Sequence, residues 1–281
     1  MPDILLFYHQ SRYLYVLRAM SKGAENQGFN TNIIRDYYDR DPSIDDKIFK
    51  CKYAIGIGWD RTVKYVTENY PKNLILSTRS IRSLPEDYWC ISRNGIGIYC
   101  DYNYTELPSD RWDGFNLEIK PWRKDGKYIL IAHQRHPDIV GNDREKYFFN
   151  LIRNIDREVI VCLHPMYADL DHPNNLEYVM KFVKLGYKIA IGIKDYIDEA
   201  SHVITYNSST AIDCILKGIP TYTVGKTMAT PLLSKQNLKS FLNNPALPDR
   251  RKWCNWLAYQ QWSLKEMEEG LMYKYYFEVM I

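Results

Sequence analysis

The stretch 203–225, VITYNSSTAIDCILKGIPTYTVG, constrains the fold of this chain more than any other segment. Its first four residues are apolar and β-branched and predict a short buried strand. Asn207, Ser208 and Ser209 follow as N-cap side chains. Ala211, Ile212, Ile215 and Leu216 give a helix its apolar face, and Lys217-Gly218 closes it with a C-terminal charge and a C′ glycine. Gly218-Ile219-Pro220 then leads into a second apolar run. A helix that starts at the carboxyl end of a parallel strand gathers unpaired N–H groups and positive dipole in one crevice, where a diphosphate can bind. The same cap residues also serve purely structural turns.

A second element makes the pattern more specific. Residues 159–165, VIVCLHP, form an apolar strand that ends on His164, and Pro165 forces the backbone out of regular structure. A His-Pro at one strand end, with Asn-Ser-Ser-x-x-x-Asp at a later one, resembles the nucleotide-binding half of GT-B glycosyltransferases. Capsule-type sugar transferases and glycerophosphate transferases are the members it resembles most. In that resemblance His164 occupies the first motif, and Asn207, Ser208, Ser209 and Asp213 the second. The residues 244–273, with the run WCNWLAYQQW, together with Trp59-Asp60-Arg61 and Pro121-Trp122-Arg123, resemble bacteriophage and prophage DNA glycosyltransferases. That group includes glucosyltransferases of the T-even coliphages that act on glucosylated hydroxymethylcytosine.

The rest of the chain alternates strand and helix patterns. Strands are expected at 4–8, 31–35, 53–58 and 74–77, with helices at 12–27 (stripe Tyr13, Val16, Leu17, Met20) and 61–69. The stretch 81–125 breaks the rhythm and reads as a sheet edge plus an interdomain connection. A second series has strands at 128–132, 159–163, 188–193, 203–206 and 220–224, with helices at 143–155, 176–185 and 210–217. Beyond 232 the pattern is all helical, at 235–242, 250–261 and 263–273, with the capping box S-L-K-E at Ser263–Glu266. Alternation of this kind argues for parallel sheets with helical crossovers. The expected fold class is α/β and GT-B-like, two Rossmann-like domains facing a cleft, with C-terminal helices bracing both. The expected domains are 1–122 (acceptor side), 123–234 (nucleotide-sugar side) and 235–281 (helices crossing back).

Composition excludes several classes. The 281 residues are 46% hydrophobic, which rules out a disordered chain. No apolar run approaches the roughly 20 residues that span a bilayer. MPDILLFYHQ has neither the basic region nor the apolar core of a secretory signal, so a cytoplasmic protein without membrane contact is expected. The six cysteines lack CxxC spacing, and Cys51, Cys162 and Cys214 sit in or beside apolar runs, so reduced buried thiols are expected. A net charge of +3 does not by itself indicate nucleic acid. Arg61, Arg79, Arg82, Arg93, Arg111 and Arg123, interleaved with Tyr and Trp, suit phosphate contact and base stacking, and equally suit a solvated surface.

Ligands in such folds bind outside the carboxyl ends of the strands. Those ends carry His133, Gln134, Arg135 and His136; then His164; then Lys194; then Tyr206 to Ser209; then Gly225-Lys226. Arg135, His164, Ser208 and Ser209 suit a diphosphate, Lys194 or Lys226 the base or sugar, and Asp213 a hydroxyl or merely solvent. No third ligand accompanies His133 and His136, and Asp169 and Asp171 read as loop residues, so no metal site is expected. Asp60 is the leading general base, or the N-cap of the helix at Arg61, with His9 in reserve. Arg61, Arg79 and Arg82 would line the acceptor side. Trp253, Trp256, Tyr259 and Trp262 read as a packed brace, with a sugar-stacking platform as the other reading.

The resemblance implies a monomeric, metal-independent and cofactor-free enzyme in an infected bacterial host. It would move glucose from UDP-glucose onto (glucosylated) hydroxymethylcytosine in double-stranded phage DNA. The alternatives are a sugar or polyol-phosphate transferase acting on a surface polysaccharide, and a non-catalytic sugar-nucleotide or DNA-binding protein.

Overall fold

The computed structural model describes residues 2–35, 50–58, 61–93, 106–134, 150–151, 153, 155–169, 173–233 and 236–279, with Arg61 as backbone only. Two compact units result, one of residues 1–101 with 256–281 and one of residues 102–255. The strands are β1 (Ile4–Tyr8), β2 (Thr31–Arg35), β3 (Tyr53–Ile57), β4 (Asn73–Thr78), β5 (Tyr88–Arg93), β6 (Tyr128–Ala132), β7 (Val159–Leu163), β8 (Lys188–Ile191), β9 (Ala200–Thr205), β10 (Thr221–Thr223) and β11 (Gln261–Ser263).

In the first unit the sheet order is β11-β5-β4-β3-β1-β2. The run β2-β1-β3-β4 is parallel, whereas β5 and β11 are antiparallel. Parallel strands covered on both faces read as continuous apolar runs, and the ILLF of β1 is fully buried. The helix Leu14–Asn26 buries Val16, Leu17 and Met20, as its stripe required. Val63 and Val66 of the helix Arg61–Asn69 pack on Phe7, Ala54 and Ile75. The stretch 81–125 contains more than an edge and a connection. It supplies β5, whose apolar residues are diluted by Tyr, Ser and Arg, and the short helix Asp110–Gly114.

The tail also departs from an unbroken helical reading. The helix Arg251–Ala258 gives way to β11, which pairs Gln261 with Cys90 and Trp262 with Trp89 across the sheet edge. Ser263 then starts the helix Leu264–Glu268 with the expected capping box, its Oγ accepting from Glu266 N at 3.3 Å. Gly270, at φ +82°, ends that helix before Leu271–Lys274. Gln261 is wholly buried; its Nε2 donates to Ser80 Oγ at 2.7 Å and its Oε1 accepts from Ser80 N at 3.0 Å. The tail packs on the first helix through Tyr273 Oη, which donates to Met20 O at 2.9 Å. Trp256 and Trp262 are buried in this unit, and Trp253 in the other, where its Nε1 donates to Met228 O at 2.8 Å. Their burial makes them core rather than a sugar platform.

The second unit is an all-parallel sheet in the order β10-β9-β6-β7-β8. The chain runs outward from β6 through β7 to β8, then crosses to β9 and β10 on the other side. Alternate residues face opposite layers. Ile129, Ile131, Val161 and Leu163 pack with Phe182 and Phe241, and Leu130, Ala132, Ile160 and Val203 pack with Cys214 and Ile219. Most of the helix expected at 143–155 lies outside the described residues. Among the described residues, five cysteines are free thiols and no helix is long and apolar enough to cross a membrane. Burial pushes the Cys162 thiol up to about 12.

The helix Thr210–Leu216 ends as its sequence required. Gly218, at φ +76°, donates to Ile215 O at 3.0 Å and Ile219 N to Cys214 O at 2.9 Å, a Schellman pair. Pro121-Trp122-Arg123 grips this end: Lys120 N donates to Leu216 O at 3.0 Å and Arg123 N to Gly218 O at 2.6 Å. Arg250 is buried, stacks 4.1 Å from the Trp122 ring centroid and donates to Ile215 O at 2.6 Å. A Cβ on Gly218 would come within 1.9 Å of Pro121 O, so this position requires glycine for both space and φ. Gly218→Ala is expected to cost about 2–4 kcal/mol of stability, read as a lower urea midpoint at unchanged slope.

His202 on β9 lies under Phe241, with ring centroids 5.3 Å apart, and among the described residues neither imidazole nitrogen has a hydrogen-bond partner. Burial, helped by the charge of Arg157, pulls its pKa from the ordinary 6.5 to about 4. The unfolded chain therefore binds the extra proton between those values, and stability falls as pH drops from 6.5 toward 4. His202→Phe should remove this part of the slope, so the wild-type and variant melting curves diverge on acidification. Parallel pH profiles would contradict it.

Candidate functional site

Strand register brings the second unit's motif residues together. Ala132 of β6 pairs with Cys162 of β7 on one side and Thr205 of β9 on the other. Two positions beyond that row stand Gln134, His164 and Asn207. The chain reverses its direction of travel between β6 and β9, which is the topological switch point where open α/β sheets bind ligands. Two strand steps of about 4.8 Å each separate β7 from β9. His164 and Ser208 thus lie at one edge of one sheet.

Gln134 and Asn207 close the switch point by a reciprocal pair. Gln134 Nε2 donates to Asn207 Oδ1 at 2.8 Å, and Asn207 N donates to Gln134 Oε1 at 2.8 Å. Thr205 Oγ1 adds a bond to Ala132 O at 3.0 Å just below. This corrects the expectation that Asn207 caps the helix, because its side-chain oxygen serves the neighbouring strand end. Ser209 occupies the N-cap position but its side chain makes no cap bond. Ser208 does that work instead, its Oγ accepting from Thr210 N at 3.2 Å and donating to Thr210 Oγ1 at 3.0 Å. Asp213 lies in the first turn of the helix, half-buried.

His164 is exposed at the end of β7, and its Nδ1 accepts from Met166 N at 3.2 Å. The neutral ring therefore carries its proton on Nε2, the form that donates to a phosphate oxygen. Lys194 follows β8 at the same edge and is exposed. Tyr206 is held on the other flank: Gly225 N donates to Tyr206 O at 2.7 Å, and a Cβ on Gly225 would meet the tyrosine ring at 2.8 Å. Arg135 and His136 lie outside the described residues. Among the described residues no three His, Cys, Asp or Glu side chains gather as a metal site would require.

The first unit has its own switch point between β1 and β3, where Tyr8 pairs with Ile57. His9 and Gly58 are the next residues on each strand, while Asp60 and the Arg61 side chain lie outside the described residues. Arg79 follows β4; its Nε donates to Arg82 O at 3.5 Å, and it faces the exposed Glu86 at 4.0 Å, a pair too solvated to hold it firmly. Buried Gln261 fixes the turn carrying Arg79 and Arg82 through Ser80.

Two contributors had only a faint sequence signal. Gln134 is visible as a strand-end residue, but its bond to Asn207 spans 73 positions. Arg250 belongs to a proline-rich tail segment with no local sign of the helix it anchors.

No protein-family model and no curated protein matches the sequence. Among solved structures the chain is similar to the beta Kdo 2,7 transferase of Thermosulfurimonas dismutans KpsC, with a TM-score of 0.57 and 14% identity over 96% of this chain and 99% of that one. It is also similar to the beta Kdo 2,4 transferase of the same protein, with a TM-score of 0.52 and 12% identity over 93% and 92%. At such identities the likeness is one of fold. With the two sheets described above, the likeness makes this chain a mixed α/β protein of two Rossmann-like units.

Proposed function

We propose that this protein is a glycosyltransferase that binds a nucleoside-diphosphate sugar at the β6, β7 and β9 ends of its second unit. The observation that carries this reading is the row Gln134, His164 and Asn207 across the switch point, with Ser208 beside it. The fold adds support by analogy, since both similar structures bear the names of sugar transferases. Backbone N–H groups, the Ser209 hydroxyl, the His164 ring N–H and, once it turns from Thr210 Oγ1, the Ser208 hydroxyl offer donors to a departing diphosphate, whose negative charge grows as the sugar–oxygen bond breaks. Arg135 and Lys194 supply cations, and Asp213 a partner for a sugar or ribose hydroxyl. The acceptor oxygen attacks the anomeric carbon, and its proton passes to a general base, Asp60 first and His9 second.

The finer reading takes UDP-glucose as donor and hydroxymethylcytosine of phage DNA, already glucosylated or not, as acceptor, with Arg61, Arg79 and Arg82 on its phosphates. It is supported by the tail motif and the arginine distribution, and it makes DNA affinity fall steeply with salt. Transfer to a surface polysaccharide is the second reading, supported by the resemblance of the His-Pro and Asn-Ser-Ser motifs to capsule-type sugar transferases.

His164→Ala and Ser208→Ala should each weaken donor binding about tenfold by calorimetry, with the protein still folded and only a small fall in melting temperature from the lost caps. Unaltered affinity in both variants removes the diphosphate assignment. Asp60→Asn should abolish transfer yet keep donor affinity; full activity would pass the role to His9. Mass spectrometry of nucleosides from plain, hydroxymethylated and glucosylated DNA, after incubation with several sugar nucleotides, decides the acceptor. A hexose gained only by modified cytosine supports the DNA reading. Transfer to polysaccharide alone supports its rival, and donor binding without transfer or donor hydrolysis leaves a binding protein.

A further inference from the structure

The helix Pro173–Lys184 joins β7 to β8, the edge strand of the second sheet. Its inner side is accounted for, since Val179 and Phe182 belong to the core. Its outer side is unusual for a solvent face. Leu176, Met180 and Val183 are 46%, 38% and 46% exposed, and Leu185 just beyond the helix is 46% exposed. Met166 extends the patch at the other end; it is 51% exposed and lies by the first helical turn, where Asn175 Nδ2 donates to its carbonyl at 3.2 Å. These five make up most of the nine exposed large hydrophobic residues among the described residues. Apolar side chains concentrated on one surface mark an interaction site.

The spacing defines what can cover it. Positions 176, 180 and 183 follow one another by four and then three, which is the seam of a packed helix pair. Charges flank the seam unequally. Glu177 follows Leu176 and Lys184 follows Val183, so one side of the stripe carries an acid at the amino end and a base at the carboxyl end. Lys181 falls further round toward solvent, at about 100° per residue.

We propose that this face pairs with the same face of a second copy of the chain, the two helices antiparallel about a two-fold axis at Met180. Each Leu176 then meets the other copy's Val183, the two Met180 side chains meet at the axis, and Glu177 faces Lys184 twice over. Such an isologous arrangement closes at two copies. A parallel pairing would place acid on acid and base on base. An anionic bilayer would be opposed by Glu177, which instead finds a cation in the second copy.

Sedimentation velocity of the full chain from about 1 to 200 µM should show concentration-dependent dimers. Met180→Glu puts two carboxylates at the axis and should leave monomers with unchanged melting temperature and donor affinity. Glu177→Lys alone should weaken association about tenfold or more, and adding Lys184→Glu should restore it, because the pair is then reversed rather than lost. Monomers throughout the range, dimers indifferent to Met180→Glu, or failure of the double variant to recover would overturn the proposal. So would binding to phosphatidylglycerol vesicles that Met180→Glu abolishes in a chain that stays monomeric. None of these readings depends on donor binding, so the dimer can fail while the transferase reading stands.

Discussion

Everything placed at the candidate donor site depends on the parallel ladder centred on β6. Because β7 and β9 flank β6 with a common row at Ala132, the residues just past each strand end emerge level with one another. Backbone hydrogen bonds between buried strands set that level to within a residue, since a slip by one would move every core side chain into the opposite layer. The chemistry-bearing residues therefore inherit their level from the packing of Ile129, Leu130 and Ile131, and the Gln134–Asn207 pair then fixes the strand ends to one another.

A second constraint acts from the opposite end of the following helix. Thr210–Leu216 is too short to hold its orientation by itself. Its carboxyl end is held where Gly218 admits the backbone of Pro121, and where Arg250, stacked on Trp122, reaches Ile215. Pro121-Trp122-Arg123, one of the motifs behind the family resemblance, is thus a clamp on the helix that follows Ser208 and Ser209. The contribution is indirect but physical: a helix fixed at one end presents a fixed turn at the other.

Local chemistry was legible where it is encoded within a few neighbouring residues. The strand at 4–8, the apolar stripe of the first helix, the capping box at Ser263 and the glycine end at Gly218 all follow from adjacent side chains and appear in the structure. The antiparallel margin of the first sheet was not legible. Gln261–Ser263 continues a helical pattern in sequence, and only pairing with Tyr88–Cys90, far away in the chain, makes it a strand. Which of Asn207, Ser208 and Ser209 supplies the capping side chain was not legible for a similar reason. Ser, Ser and Asn are interchangeable as caps locally, and Gln134 decided which of them was occupied elsewhere.

Periodicity and turn chemistry in the sequence therefore determined two parallel-sheet units and the strand ends where a ligand could sit, because burial of apolar runs and satisfaction of helix termini are local demands. Which strand ends become neighbours, which amide closes the switch point and which helix face is left apolar toward solvent were decided only by tertiary structure. Those outcomes depend on register and strand order, which arise from contacts between residues far apart in the chain and leave no mark in any short window of sequence.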